Sequence, residues 1–396
     1  MEILLLRHYP LVEGPSMGSF ALQIATGLRA RGHCVREITA PLLLGRLARR
    51  QRTLAKWLGY IDQFVLFRLQ LWWLARRLPP RTLCVFCDQA LGPWIPALKH
   101  HPNVVHVHDL LALQAAQGRQ PFHHLGWSGR LYQRWICNGF RQAQCFLSVS
   151  AATREALTAE LQRPPRLNAV LLNPLPPRFR PLPPADAAAE VGSSIPDLGS
   201  RSFLFHIGRN WYKNRLGVLM IWEQLWSLST STPPALVLVG ALEPALQRWL
   251  DQRPHLKAQL HVLHHPSDAL VLALYNRAAA LLFPSHAEGF GWPVLEALAC
   301  GCPVVTTGCP PMTEVGGECA SYIPPAPLVP SAQSVWARQA AEQVDDVLAR
   351  SAEDENAACS RGIAWAQTFS QQRWLDQLEA HYSSVLSHAE PVAWVG

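Results

Sequence analysis

The stretch Pro284–Thr307, PSHAEGFGWPVLEALACGCPVVTT, concentrates residue types that can grip an anionic, hydroxylated ligand. Glu288 and Glu296 are separated by seven residues. Gly289 and Gly291, lacking Cβ, let the backbone between them approach a ligand closely. Pro293 suits the first turn of a helix, where its missing N–H costs nothing. The N–H groups from Gly291 through Val294 and Leu295 then point at an anion, aided by the helix dipole. Glu296, one turn in, can accept hydrogen bonds from two vicinal hydroxyls such as those of a ribose. Two glutamates or two glycines alone are ordinary. The specificity lies in the whole string and its strand–loop–helix–strand setting.

Two cations complement that string. Gly208 and Arg209 follow an apolar strand, Phe203–Ile207, and Lys213 follows shortly after. Ligands of parallel α/β sheets sit at the carboxyl ends of strands. A fixed cation there offsets charge growing on a departing phosphate. Arg215 is a weaker candidate, compatible with a solvated surface. His108 and Asp109 close another apolar run, Val104–Val107, and a histidine at a strand end can hydrogen-bond reacting oxygens. The loop Glu13–Ser19 contributes Gly14, Ser16 and Gly18 as acceptor-side candidates. No carboxylate pair has metal-binding spacing in a loop, since Asp345-Asp346 lies in a helical stretch; no metal and no cofactor is expected. Cys84 and Cys87 form a CxxC inside a strand-like run, which reads as two buried thiols, because redox pairs open helices.

These residues need an α/β scaffold. Ile3–Leu6, Val35–Ile38, Leu83–Phe86, Val104–His106, Cys145–Val149 and Asn168–Leu172 read as strands alternating with helices, Ser150 being the N-cap of one. Pro174–Arg201 is proline-rich and reads as a linker. A second series follows, with strands at Phe203–Ile207, Ala235–Val239, Leu260–Leu263, Ala280–Phe283 and Pro303–Thr306, and helices toward the C-terminus. The expected architecture is two Rossmann-like, doubly wound parallel-sheet domains facing across a cleft. Residues 1–185 form an acceptor-side domain and 186–369 a donor domain. A last helix, about 370–388, returns to the first.

The chain has 396 residues, 49% of them apolar and 16% charged, with a net charge of +7. That supports two cores and favours anionic partners. It carries no zinc-finger spacing, aromatic RNA-binding signature or basic tail, so nucleic acid is not an expected partner. The N-terminal apolar run is too short to span a membrane and has no cleavage site, which points to a cytoplasmic protein. Residues 46–81 bring Arg46, Arg49, Arg50, Arg52, Lys56, Arg68, Arg76, Arg77 and Arg81 together with Trp57, Tyr60, Phe64, Phe67, Trp72 and Trp73; only Asp62 opposes them. This composition suits either a helix covering the core or a peripheral contact with an anionic membrane surface, on the inner face.

The string HAEGFGWPVLEALACGCPVVTT resembles the signature of the retaining GT-B glycosyltransferases of family 4, glycosyl transferases group 1. FHIGRNWYKN, LYNRAAALLFPS and PMTEVGGECASYIPP resemble neighbouring segments of that family, and VVHVHDL, LSVSAATREAL and LLNPLPPRFRP have counterparts in its N-terminal half. The resemblance implies a GT-B fold and a retaining hexosyltransferase. Its substrates would be a nucleoside-diphosphate-sugar donor and a glycan or lipid-linked acceptor, with a mannosyl-type lean and a place in polysaccharide biosynthesis. It also implies that Glu288 and the amides of Gly289, Phe290 and Gly291 meet the donor sugar, that Glu296 holds the ribose, and that Arg209 and Lys213 face the diphosphate without metal. His108 would point toward the sugar. The family usually has a Gly-Gly pair where this chain has EGPSMGS, which leaves the acceptor-side contacts open. Two other readings fit the same residues: a GT-B nucleotide-sugar epimerase, and a non-catalytic sugar-nucleotide-binding or membrane-scaffold protein.

Overall fold

The computed structural model describes the chain except residues 12, 48–51, 229–232 and 389–396. Arg49 and Arg50 therefore lie outside the described residues, as do the side chains of Arg52 and Lys56. Two compact units result. Unit 1 comprises Met1–Gln120, His124–Leu172 and Gln372–Gly396; unit 2 comprises Pro121–His123 and Asn173–Gln371.

Unit 1 is built on a parallel sheet of β1 (Glu2–Leu6), β2 (Cys34–Ile38), β3 (Leu83–Phe86), β4 (Asn103–Val107), β5 (Cys145–Ser148) and β6 (Leu167–Val170), in the order β2-β1-β3-β4-β5-β6. Unit 2 has β7 (Phe203–Ile207), β8 (Ala235–Val239), β9 (Leu260–Leu263), β10 (Ala280–Phe283), β11 (Val304–Thr307) and β12 (Ser321–Ile323), in the order β12-β11-β10-β7-β8-β9, again parallel. Both sheets reverse direction of strand addition once, between β1 and β3 and between β7 and β10. Such a switch point is where doubly wound sheets bind ligands, because loops there diverge to opposite faces. β3, β5, β10 and β11 are buried throughout, as expected for strands covered by helices on both faces.

Three features depart from the expected layout. The division between units falls at Leu172, not at 185/186. The proline-rich stretch is not a free linker: Pro184–Ser194 is a helix that buries Ala187 and Val191 and packs on the helix Asp268–Arg277. Asn276 fastens it, accepting from the Leu182 N–H at 2.7 Å and donating to the Arg180 carbonyl at 3.1 Å. The loop expected over Glu13–Ser19 ends early, because a helix runs from Pro15 to Ala30 with Gly14 as its N-cap. Ser16 and Gly18 are thus helical. The thiols of Cys84 and Cys87 are fully buried and raised well above the ordinary cysteine range by burial.

The basic aromatic segment splits its duties. Leu44–Leu47, Arg52–Ile61 and Phe67–Ala75 are α-helical, and Asp62–Leu66 is a π-helical turn. Phe67, Leu71 and Ala75 face the core, whereas Trp57, Val65, Leu69, Trp72 and Trp73 are at least half exposed. Asp62 is fully buried and accepts from the Tyr9 hydroxyl at 2.8 Å and from the N–H groups of Leu43, Leu44 and Gly45. Burial opposes its ionisation, but these four donors outweigh it and lower the pKa. The one acid of the segment is consumed inside the fold and does not temper the basic surface.

Candidate functional site

The loops after β7 and β10 meet at the switch point of unit 2. β7 is followed by Gly208, whose φ of +115° suits glycine, and a Cβ there would lie 2.9 Å from Lys213 Cε. Glycine lets the Lys213 stem lie flat against the loop. Lys213 ends a single 3-10 turn, Trp211–Lys213, and Asn214 follows in the left-handed region at φ +52°. Asn214 tolerates this because its side chain bonds locally, donating to the Pro284 carbonyl at 3.0 Å and accepting from the Gly217 N–H at 3.1 Å. The first of these bonds ties the β7 loop to the β10 loop. His286 N–H to the Tyr212 carbonyl, 2.7 Å, is a second tie.

Lys213 Nζ then reaches Glu288 Oε1 at 2.7 Å, both side chains being mostly buried, and sits 4.5 Å from the Phe283 ring centroid. Three residues on, Gly291 caps the helix Trp292–Ala299 at φ +97°, and a Cβ there would meet open space. Backbone conformation, not crowding, requires that glycine. The Val294 N–H closes the first turn on the Gly291 carbonyl at 3.0 Å, so it is spent within the helix, contrary to expectation. The N–H groups of Gly291 and Trp292 are those a helix start leaves unpaired. Phe290, Val294 and Leu295 bury their side chains, Phe290 edge-on to Trp292 and Phe369. They support the loop, and only their backbone can face a ligand.

Glu296 is half-buried in the first turns of that helix. Tyr275, on the helix before β10, donates to its Oε2 at 2.8 Å and leaves Oε1 for a ligand. Burial pushes the Glu296 carboxyl up to about 7, against the hydrogen bond from Tyr275 and the charges of Arg178 and Lys213. Arg209 lies over Gly240, the residue after β8, where φ is +107° and a Cβ would sit 2.4 Å from Arg209 Cγ. Its head remains exposed. Arg215 is not solvated: it is buried, pairs with Glu243 at 3.1 Å and donates to the carbonyls of Gly240 and Ala241. It braces the β8 loop beneath Arg209. His286, lowered to about 4 by burial, stacks on Phe122 with ring centroids 3.7 Å apart.

In unit 1 a second group gathers at the β1/β3 switch point. His8 Nε2 contacts Asp88 Oδ2 at 3.0 Å. Burial disfavours the imidazolium, yet the Asp88 hydrogen bond and charge outweigh it and raise the His8 pKa. His108 Nε2 contacts the Cys87 carbonyl at 2.9 Å, and its ring stands edge-on to Phe20. Burial lowers its pKa. Asp109 does not serve His108. Its Oδ1 accepts from the Leu111 N–H at 3.0 Å and its carbonyl from Gln89 at 2.6 Å. Gly14 caps its helix with open space around it, and Ser16 is exposed. Ser150 caps the helix Ala151–Glu160 by accepting from the Thr153 N–H. Neither amide atom of buried Asn173 has a hydrogen-bond partner.

Sequence reading found neither Tyr275 nor the His8–Asp88 pair. Tyr275 sits on a separate helix, and no spacing links it to Glu296. His8 and Asp88 meet only because β1 and β3 are sheet neighbours. The signal available was their position, since each lies within two residues of a strand's carboxyl end. Among the described residues no cluster of His, Cys, Asp or Glu has the geometry of a metal site.

Two units of this kind, with a cation–carboxylate pair at the switch point of the second, have the fold of GT-B glycosyltransferases. Residues 201–340 match the family described as Glycosyl transferases group 1. The chain is 31% identical to the O-antigen chain mannosyltransferase B of Escherichia coli over 163 residues, 40% of this chain and 39% of that protein. It is 32% identical to the glycogen synthase of Mycobacterium tuberculosis over 234 residues, 52% of each. The chain thus spans about two fifths to half of the length of these curated relatives. The crystal structure of Anabaena Alr3699/HepE in complex with UDP and glucose superposes with a TM-score of 0.69 at 17% identity, covering 97% of this chain and 100% of that one.

Proposed function

We propose that this protein is a retaining glycosyltransferase that moves a sugar, of mannosyl type, from a nucleoside-diphosphate donor to an acceptor hydroxyl in glycan or polysaccharide synthesis. The observation that carries the reading is the buried Lys213–Glu288 pair, 2.7 Å apart, next to the glycine-capped start of the Trp292–Ala299 helix. The diphosphate takes the unpaired N–H groups of that start, with Lys213 and Arg209 balancing its charge. Glu296 Oε1 accepts from the ribose. Glu288, committed to Lys213, orients the sugar and is not the nucleophile. The acceptor oxygen forms the new bond to the anomeric carbon as the bond to the β-phosphate oxygen breaks. That phosphate oxygen takes the acceptor proton on the same face, so configuration is retained and the two cations do the work of a metal. His108, after β4 in unit 1, is the acceptor-side candidate. The mannosyl lean is supported by the similarity to the Escherichia coli O-antigen mannosyltransferase.

A thermal-shift screen against UDP-, GDP- and ADP-sugars, followed by NMR of the product anomer, tests this. A nucleotide sugar should stabilise the chain, and Lys213→Met should lower turnover by about 100-fold or more. No stabilisation by any nucleotide, or an inverted anomer, sinks it. Turnover of donor without acceptor would instead mark an epimerase.

An anionic membrane surface is part of the same reading, as a peripheral contact. Helix Trp127–Phe140 adds exposed Trp127 and Leu131 to the exposed Trp57, Leu69, Trp72 and Trp73. Arg76 and Arg77 lie 3.1 and 3.3 Å over the rings of Trp72 and Trp73, a pairing of cation and aromatic that suits a charged interface. Vesicles containing phosphatidylglycerol should sediment the protein at low salt. Equal recovery with neutral vesicles removes the electrostatic part. Among the described residues no helix is long and apolar enough to cross a membrane.

A further inference from the structure

We propose that unit 1 holds a second anion site, at the end of its sheet opposite His8, Asp88 and His108, shaped for a ligand carrying two or more clustered phosphate groups. The residues preceding β4, β5 and β6 line an open cavity of about 790 Å³, within the size range of small-molecule sites. Lys99, His100, Arg141, Arg163 and Arg166 line it with Gln144, and no carboxylate does. Among the described residues Lys99, Arg163 and Arg166 form no ion pair, and like charges converge on one space without compensation only at a cost. Arg141 is held from behind by Glu160, at 3.3 Å. That carboxylate is also occupied by Arg119 and Gln117, so it is not free to neutralise the cavity.

The support behind the cavity is built, not incidental. Asn103 is fully buried. Its amide donates to the His101 carbonyl at 2.8 Å and accepts from the Gln144 N–H at 2.9 Å. The Arg166 N–H donates to the Gln144 carbonyl at 2.8 Å, and the Gln144 side chain donates to the Lys99 carbonyl at 3.2 Å. These bonds lock the backbones of the three cation-bearing loops to one another, which fixes where the exposed side chains of Lys99, Arg163 and Arg166 start. Phosphate oxygens recognised by arginine and lysine are the chemistry that such a cradle fits.

The ligand has two possible sources. One is a soluble phosphorylated molecule. The other is a lipid headgroup, because Pro96 and Ala97, just before Lys99, border an apolar cavity of about 430 Å³ with Phe64, Val65, Leu69 and Trp72. Calorimetry on the full chain at low salt distinguishes them, with the donor site saturated by the nucleotide that stabilises the chain most in the thermal-shift screen. Pyrophosphate should bind wild type, and Lys99→Gln/Arg166→Gln should weaken it by about tenfold or more while leaving the affinity for that nucleotide unchanged. Arg163→Gln repeats the test should the double variant melt lower. Dihexanoyl phosphatidylinositol 4-phosphate, which carries two phosphates, is the lipid arm, used below its micelle concentration. Tighter binding than pyrophosphate, reduced by Leu69→Asn, assigns a headgroup; indifference to Leu69→Asn assigns a soluble anion. Pyrophosphate affinity within about twofold of wild type in the cation variants overturns the site, as does no binding by wild type. Neither result touches the donor reading, which the nucleotide-sugar screen tests separately.

Discussion

At the scale of single residues, the site rests on carboxylates whose surroundings differ. Glu288 has a cation at 2.7 Å, whereas Glu296 has only a phenol, and burial holds it up to about 7. The sign of the resulting pH dependence follows. Glu296 titrates near 4.5 when unfolded and near 7 when folded, so the folded state binds the extra proton between those values. Stability from this group is fully present below about 4.5 and is lost as pH rises through about 7. Glu296→Gln should abolish that slope, gaining on wild type by at most about 3 kcal/mol above neutrality. Urea unfolding of both proteins at pH 5 and pH 8 measures it; parallel losses would contradict the buried environment assigned here. The same substitution should weaken ribonucleotide binding more than deoxyribonucleotide binding. Glu288 and Glu296 were legible because they share one contiguous string. Tyr275, His8 and Asp88 were not, because only sheet order and helix packing bring them to their partners.

Elements position these residues through glycines and prolines at their ends. Gly240 matters most, since its loop supports Arg209. An added Cβ would sit 2.4 Å from the Arg209 stem, in a backbone conformation that side chains rarely adopt. Gly240→Ala should therefore cost about 1–3 kcal/mol of stability and displace Arg209. Affinity for the nucleotide that stabilises the chain should fall in the wild-type background but not further in an Arg209→Gln background, because the loss runs through that one side chain. Additive losses would show that Arg209 is not what the loop holds. Proline also explains the misread boundaries. Pro293 was read at a helix start, and the helix begins beside it at Trp292. Pro15 and Pro184 occupy the same first-turn position, yet nearby glycines, serines and further prolines made their surroundings look like loop and linker. Strands were easier, since runs such as Leu281–Phe283 and Leu236–Val239 have no other stable placement in a doubly wound sheet.

For the whole molecule, the two units depend unequally on the end of the chain. The last helix, Gln371–Ser387, belongs from Gln372 onward to unit 1, whose core includes its Trp374, Leu375, Leu378 and Tyr382. Tyr382 meets His106 Nε2 at 2.8 Å, deep under β4, and Glu379 takes Arg31 at 2.9 Å and His33 at 2.8 Å. Four large buried side chains at roughly 2 kcal/mol each amount to most of the stability a domain of this size possesses. A chain ending after Gln371 should therefore lose the cooperative unfolding of unit 1, because Phe20, Ile24 and Leu28 become exposed beside β1. Unit 2 keeps its own sheet, the Lys213–Glu288 pair and Glu296, so nucleotide-induced stabilisation should persist in the remaining transition. Limited proteolysis with and without the stabilising nucleotide reads both outcomes at once: fragments from unit 1 should disappear, and a fragment beginning near Asn173 should survive and be protected by that nucleotide. Loss of both units together would show that the donor site has no independent footing. Survival of unit 1 would show that the contacts of Trp374 to Tyr382 contribute far less than their burial implies.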